Sequence, residues 1–155
     1  MTYLSNFRLY KPLIQVLLLT GLFLTGKTTN SGQTALTHHP YIFFIEDSWT
    51  EALKQAKLKN KYIFADAYAT WCGPCKMLQT TTFANAKAAA FFNSNFVNVA
   101  IDMEKGEGPG LAAQWGIRAY PTLIIFNPNG KPVLGTVGFL NADDLIRFGK
   151  QALNK

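Results

Sequence analysis

The chain has 155 residues, of which 48% are hydrophobic, and it carries a net charge of +6 at pH 7. A chain that is nearly half apolar argues against global disorder, and its length suits one domain that needs no stabilising disulfides. The basic residues form no cluster and no stripe with interleaved aromatic rings, so we expect no nucleic-acid partner.

The composition of the N-terminal segment differs from that of the rest of the chain. Arg8 and Lys11 precede an apolar run of 13 residues at positions 12–24. This length is typical of a signal peptide, whereas a membrane-spanning helix needs about 20 residues. Because no clear cleavage site follows, residues 1–27 are interpreted as a signal peptide or as an uncleaved signal anchor within residues 12–25. A buried helix of the domain is the remaining alternative.

A polar segment rich in turn-forming residues follows at positions 28–40 and predicts a linker. We therefore expect a single domain at residues 41–155. The predicted export signal indicates an extracytoplasmic location, either periplasmic or secreted, with a possible membrane anchor at the N-terminus.

Two apolar runs and a capping motif predict the start of the domain. Residues 41–45 predict a first strand, and Ser48 with Glu51 forms a capping box that opens a helix. Residues 61–68 are mostly apolar, as in a strand that is buried on both faces of a sheet.

Asp66 is the one charged side chain inside the apolar part of this second strand. Burial of an unpaired carboxylate is unfavourable, so we expect the pKa of Asp66 to be raised. A carboxyl group that titrates near neutral pH can exchange protons with a nearby thiol. The alternative is that Asp66 lies at the edge of the strand and binds a turn.

The only two cysteines of the chain lie in the hexapeptide Trp71-Cys72-Gly73-Pro74-Cys75-Lys76. At the start of a helix, two residues at this spacing lie about one turn apart, with a Cα separation of roughly 5–6 Å that permits a disulfide. Three interpretations compete: half of a zinc site, a structural disulfide and a redox pair.

The first two interpretations are weak. Structural zinc sites need four ligands, and the chain offers only the adjacent His38 and His39 beyond the two cysteines. A structural disulfide between residues this close would close too short a loop to stabilise the fold much. Redox chemistry is therefore favoured, with no metal and no organic cofactor.

The hexapeptide also predicts a role for each cysteine. Pro74 fits the first turn of a helix, so Cys72 falls at the helix N-terminus, where a thiolate is stabilised. Cys72 is thus the predicted nucleophile. Cys75 lies one turn deeper, where we expect it to be shielded and to act as the resolving thiol.

Caps and turns predict the rest of the domain. Asn85 caps a helix at residues 86–92, and a strand follows at residues 96–102. The glycine-rich residues 104–110 lack the pattern of a phosphate-binding loop. The remaining predicted elements are a short helix at 111–115, strands at 122–126 and 133–137 joined by a turn at 127–130, and a final helix capped by Asn141. This order predicts a mixed sheet with helices on both faces.

Taken together, these motifs resemble the thioredoxin family. The resemblance rests on the hexapeptide, on Asp66 six residues before Cys72, on Tyr120-Pro121-Thr122 before an apolar strand, and on Gly138 after the next strand. Within the family, the chain is similar to the C-terminal domain of the DsbD-type thiol:disulfide interchange reductases. It departs from thioredoxins at Asn98 and Ala100, where the third strand lacks an expected lysine.

The resemblance implies the α/β thioredoxin fold, with a central mixed sheet flanked by helices on both faces. It also implies a cis peptide bond before Pro121, which faces the cysteine pair, and a buried Asp66 beneath that pair. Residues that bind clients or tune the pair are implied to be Trp71, Gly73, Pro74, Tyr120, Pro121 and Gly138.

The predicted function is an extracytoplasmic thiol:disulfide oxidoreductase that reduces protein disulfides. Its expected partners are protein thiols and disulfides and a membrane electron donor, and we expect a monomer. A disulfide oxidase or isomerase that uses the same pair is one alternative. A non-catalytic adaptor built on the same fold is another.

Overall fold

The computed structural model describes residues 40–155. Along these residues the chain forms five strands and five helices, with one turn of π-helix at Leu78–Thr82 that continues α2. The elements in chain order are β1 (Ile45–Glu46), α1 (Trp49–Lys59), β2 (Tyr62–Tyr68), α2 (Gly73–Met77), α3 (Ala86–Asn95), β3 (Phe96–Asp102), α4 (Gly108–Trp115), β4 (Thr122–Phe126), β5 (Pro132–Val137) and α5 (Ala142–Leu153). The predicted signal segment and all of the predicted linker except residue 40 lie outside the described residues.

The five strands form one mixed sheet in the order β1-β3-β2-β4-β5. Strand β2 lies at its centre, parallel to β3 and antiparallel to β4. The register places Ala100 on one side of Asp66 and Leu123 on the other. The predicted α/β thioredoxin fold is thus confirmed, including the central mixed sheet with helices on both faces.

Each face of the sheet has its own apolar core. Helices α1 and α4 cover the first face, which includes Ile63, Ala65 and Ala67 of β2. Helices α3 and α5 and the π-helical turn cover the second face, where Phe64 and Leu123 pack with Leu78. Because side chains alternate along a strand, Asp66 lies on the same face as Phe64 and therefore on the side of Leu78.

The predicted helix caps are present. Ser48 Oγ accepts a hydrogen bond from Glu51 N at 3.3 Å, and Asn85 Oδ1 accepts one from Lys87 N at 3.0 Å. Asn141 Oδ1 accepts one from the backbone N–H of the third residue of α5 at 2.9 Å. These short polar side chains satisfy amide groups that have no partner within the helix, which explains why the helices begin where the sequence predicted.

The first strand is much shorter than predicted. Residues 41–45 were expected to form it, but β1 contains only Ile45–Glu46. Upstream, side chains bind the backbone in place of a neighbouring strand. Asn93 Oδ1 accepts from the N–H of Phe43 at 2.9 Å, and Asn98 Nδ2 donates to the carbonyl of Phe43 at 3.2 Å.

Helix α4 begins three residues before the predicted start. The sequence indicated a loop at residues 104–110, yet the helix already includes Gly108 and the Pro109 that follows it. Proline is well suited to the first turn of a helix, and this preference outweighed the two glycines beside it. The helix ends at residue 115, as predicted, and Gly116 follows it with a φ of 69°. Within residues 40–155, no helix is both long and apolar enough to cross a membrane.

Candidate active site

The cysteine pair lies where β2 gives way to α2. Cys72 is the N-cap residue of α2, and it forms a disulfide with Cys75, with the two Cα atoms 5.3 Å apart. This separation lies within the range expected from the sequence spacing. Pro74 occupies the first turn of α2, as predicted, because its missing N–H costs nothing there.

Both cysteine residues are almost entirely buried. Cys72 is 3% exposed and Cys75 is 1% exposed, so their predicted difference in shielding is small in this oxidised state. Ala69 completes their buried cluster, and Tyr68 and Tyr120 pack against it. The backbone N–H of Cys75 donates to Cys72 Sγ at 3.2 Å. A donor aimed at this sulfur favours negative charge on it, which suits a nucleophile.

Asp66 is a buried carboxyl group without a hydrogen-bond partner. Neither of its side-chain oxygens accepts a hydrogen bond from any described residue. Burial, and to a lesser extent the negative charge of Glu46, raises the pKa of Asp66 to about 7. The alternative of a strand-edge residue bound to a turn is therefore wrong, because Asp66 lies at the middle of the sheet.

The register explains the influence of Glu46. Ala100 pairs with Glu46 on one side and with Asp66 on the other, so all three side chains lie on one face of the sheet. The small side chain of Ala100 separates two carboxyl groups. Among the described residues no basic group contributes to the pKa of Asp66, which agrees with the departure from thioredoxins already seen in the sequence, the missing lysine on β3.

The loop before β4 contains a cis peptide bond between Tyr120 and Pro121. The N–H of Gly138 donates to the carbonyl of Pro121 at 2.8 Å. Gly138 has a φ of 99°, in the left-handed region that side-chain-bearing residues avoid. The residue after β5 therefore fixes the backbone at Pro121, which explains why a glycine is suited to this position.

An exposed tryptophan lies beside the disulfide. Trp71 is 66% exposed, and its ring meets that of Tyr120 edge to face, with 5.9 Å between the centroids. Its indole N–H donates to Glu104, at 2.9 Å to Oε1 and 3.0 Å to Oε2. Burial, together with the nearby charges of Glu104 and Asp102, raises the pKa of Tyr120.

Contacts link several of the residues predicted from the sequence. Cys72, Cys75, Trp71 and Tyr120 form one connected group, and Gly138 reaches it through Pro121. Gly73 and Pro74 lie exposed between the cysteines. Glu104 and Glu46 were not predicted from the sequence, because both contacts depend on which strands are neighbours. Among residues 40–155, no group of three or more histidine, cysteine or acidic side chains is arranged to hold a metal.

Comparison with known proteins identifies the family. Residues 49–153 match the model of the thioredoxin-like domain. The chain belongs to this family. A thioredoxin of Staphylococcus aureus is 33% identical to it over 96 residues, which are 62% of this chain and 86% of that thioredoxin.

Solved structures give the same result. The solution structure of a protein from Bacteroides thetaiotaomicron, proposed to be a disulphide-isomerase, is 43% identical with a TM-score of 0.66. The match covers 74% of this chain and 95% of that one. The oxidoreductase DsbH matches with a TM-score of 0.64 over 81% of this chain and 93% of its own, but at 21% identity it supports only the fold. This thioredoxin-like chain thus has an oxidoreductase fold with a close Cys72–Cys75 pair.

Proposed function

We propose that this thioredoxin-like protein is an extracytoplasmic thiol:disulfide oxidoreductase that reduces the disulfides of client proteins. One observation carries the proposal: Cys72 and Cys75 are joined at the start of α2, in a fold where Asp66 is buried and unpaired on the same side of the sheet. A disulfide that only stabilised the fold would gain nothing from an unpaired buried carboxyl group, because such a group destabilises the fold. A reaction that transfers protons needs a titratable group of this kind.

In the proposed cycle, the reduced protein begins with a Cys72 thiolate. This thiolate attacks one sulfur of a client disulfide, a mixed disulfide forms, and the other client sulfur leaves and takes up a proton. Cys75 then loses its proton and attacks Cys72 Sγ, and the second client sulfur leaves as a thiolate that takes up a proton. The client gains two electrons, and the protein is left with the disulfide that the structure contains.

Asp66 is the proposed proton acceptor for Cys75. With a pKa of about 7, the carboxyl group is present in both protonation states near neutral pH. It therefore accepts a proton when the Cys75 thiol ionises and returns it when the thiol forms again. An Asp66 with an ordinary pKa would be a much weaker base at this pH.

The proposed client surface surrounds the disulfide. Trp71, Gly73, Pro74 and Tyr120 are exposed or half-buried around the pair, and Pro121 and Gly138 form the adjoining loop. A client segment would lie across these residues with its disulfide above Cys72. No metal or organic cofactor takes part in the proposed cycle.

The proposals for the cellular location and the electron donor are based on the sequence. The basic and apolar residues before position 28 support export across a membrane, and disulfides persist outside the cytoplasm. The oxidised pair must then be reduced again by a dithiol donor, which we propose to be a membrane protein. The protein is proposed to act as a monomer.

A disulfide isomerase is the second candidate. The 43% identity with the proposed disulphide-isomerase from Bacteroides thetaiotaomicron favours it. Isomerisation uses the same attack by Cys72, but the client sulfur resolves the mixed disulfide and Cys75 serves only as an escape from stalled complexes. The two candidates differ in the reduction potential that suits each of them.

Two experiments test the proposal. Insulin reduction with dithiothreitol should be accelerated by the wild-type protein and not by Cys72→Ser, whereas equal rates would support the adaptor and contradict the enzyme. A redox titration against glutathione separates the remaining candidates. A potential near that of thioredoxin, about −270 mV, supports the reductase, and one near that of protein disulfide isomerase, about −180 mV, supports the isomerase.

A trapping experiment identifies clients. Cys75→Ser cannot resolve its mixed disulfides, so it should accumulate covalent complexes with client proteins that dithiothreitol releases. Cys72→Ser is the matched control, because it keeps one thiol in the same cluster but lacks the nucleophile. Equal trapping by both variants would contradict the assigned roles.

A further inference from the structure

Trp71 is exposed, yet its ring is held on two sides. Its indole N–H donates to both carboxylate oxygens of Glu104, at 2.9 and 3.0 Å, and Tyr120 contacts the ring edge to face. A side chain that is 66% exposed usually samples several rotamers. Here the two partners select one of them, directly beside the cysteine pair.

Glu104 is itself presented by a fixed segment of backbone. The N–H of Met103 donates to the carbonyl of Tyr68 at 2.8 Å, and the N–H of Glu104 donates to Asp102 Oδ1 at 3.1 Å. The segment then passes so close to Gly108 that a Cβ there would lie 2.0 Å from the carbonyl oxygen of Asp102. Glu104 is therefore anchored to the ends of β2 and β3, close to the strand that leads to Trp71.

We propose that Glu104 is a positioning residue that holds Trp71 against Tyr120 and so pre-organises the client-binding surface beside Cys72. The inference rests on the proposed function, since it assigns a role in client binding. It adds a residue that does not touch the reacting sulfur atoms and that acts through Trp71.

The physical reason is the entropy of binding. If the ring of Trp71 rotated freely, a bound client would have to immobilise it, and the lost rotamer freedom would weaken the complex. A charge-assisted hydrogen bond from the protein itself orders the ring beforehand. A large client covers Trp71, whereas a small disulfide can react at Cys72 without contacting that ring. The effect of Glu104 should therefore be confined to large clients.

The test compares three variants. Glu104→Ala removes the acceptor, and Glu104→Gln keeps one oxygen that accepts from the indole N–H. Glu107→Ala is the matched control, because Glu107 is exposed in the same segment and carries the same charge, but makes no side-chain hydrogen bond among the described residues. For each protein, KM and kcat are measured for insulin with dithiothreitol as donor, together with the rate of reaction with 5,5′-dithiobis(2-nitrobenzoate).

A second readout follows the ring itself. The indole N–H signal of Trp71 is recorded by ¹H–¹⁵N NMR and assigned with Trp71→Phe. In Glu104→Ala this signal should shift and exchange faster with solvent, and in Glu107→Ala it should not change. This measurement needs no client, so it reports on the hydrogen bond separately from catalysis.

We expect Glu104→Ala to raise KM for insulin about three- to tenfold, the range that one net hydrogen bond contributes, with little change in kcat. The rate with the small disulfide should stay at the wild-type value, and Glu104→Gln should lie closer to wild type than Glu104→Ala does. The role of Glu104 is overturned if Glu104→Ala matches Glu107→Ala in KM, or if the small-disulfide rate falls as much as the insulin rate. A wild-type protein that reduces neither substrate would overturn the proposed function itself, and the role of Glu104 with it.

Discussion

The two faces of the central strand β2 differ sharply in chemistry. On one face Ile63, Ala65 and Ala67 pack into an apolar cluster against α1 and α4. On the other face, one residue away, Asp66 is as deeply buried and has no hydrogen-bond partner. The same strand, at the same depth, thus carries packed apolar side chains on one side and an unfavourable carboxyl group on the other.

This difference separates residues that stabilise the fold from a residue that the proposed reaction uses. An apolar side chain in the core lowers the free energy of the folded state, and its removal leaves a cavity. An unpaired buried carboxyl group raises that free energy, so its presence needs another explanation. Only the second face is covered by the helical segment that follows the cysteine pair. Changes on the two faces should therefore have opposite effects on stability, and only a change at Asp66 should slow the reaction.

Asp66→Asn should have the largest effect. The folded protein holds a proton on Asp66 up to a pKa of about 7, whereas the unfolded chain releases it near 4, so the wild type loses stability as the pH rises between these values. Asparagine does not titrate, so at pH 8 the variant should be more stable by about 2–4 kcal/mol, and this gain should shrink towards pH 4. Urea unfolding at both pH values measures it.

The same variant should slow disulfide exchange by about tenfold to a hundredfold at pH 7, since a proton acceptor is lost. A variant that is both more stable and equally active would remove Asp66 from the mechanism. A variant whose stability gain is equal at pH 4 and pH 8 would show that Asp66 has an ordinary pKa in the folded protein.

Ile63→Val tests the opposite face with a smaller effect. Ile63 is fully buried in the apolar core, and loss of one methylene there should destabilise the protein by about 0.5–1.5 kcal/mol. The rate of insulin reduction per folded molecule should stay unchanged. If this variant slows exchange as much as Asp66→Asn does, the two faces do not differ in function.

Glu46→Gln should have the smallest effect, and it tests the electrostatic influence on Asp66 alone. Glu46 lies in register with Asp66 across Ala100, and its negative charge helps to raise the pKa of Asp66. Without that charge, the pKa of Asp66 should fall, and the pH dependence of exchange should move to lower pH. Glu51→Gln is the control, because Glu51 is half-buried in the first turn of α1, pairs with Lys54 and does not contribute to the pKa of Asp66. Equal pH profiles for the two variants would show that Glu46 does not influence Asp66.

Most of the fold could be predicted from the sequence because its signals are local. The caps at Ser48, Asn85 and Asn141 and the apolar run that became β2 each depend on a few adjacent residues. The first strand was predicted incorrectly because its apolar residues looked like a strand, while the asparagines that bind its backbone lie about 50 residues away. A local sequence pattern cannot indicate partners that lie so far away in the chain.

The residues of the candidate site also fall into two groups: those that could be predicted from adjacent residues and those that could not. Cys72, Cys75 and Pro74 are adjacent in sequence, and their geometry follows from one helical turn. Glu104 lies 33 residues after Trp71, and Glu46 lies two strands away from Asp66. No periodicity or motif connects such residues, so only the strand order and the register of the sheet reveal that they interact.

The reactivity of the Cys72 thiol tests whether Cys72 is the nucleophile of the proposed cycle. The reduced protein is treated with iodoacetamide at pH 7, and peptide mapping over time gives separate rates for Cys72 and Cys75. We expect Cys72 to be alkylated at least about tenfold faster than Cys75 and faster than a free cysteine peptide, because its thiolate is favoured at the start of α2. Equal rates at the two positions, or a Cys72 slower than the peptide, would contradict the assignment of Cys72 as the nucleophile.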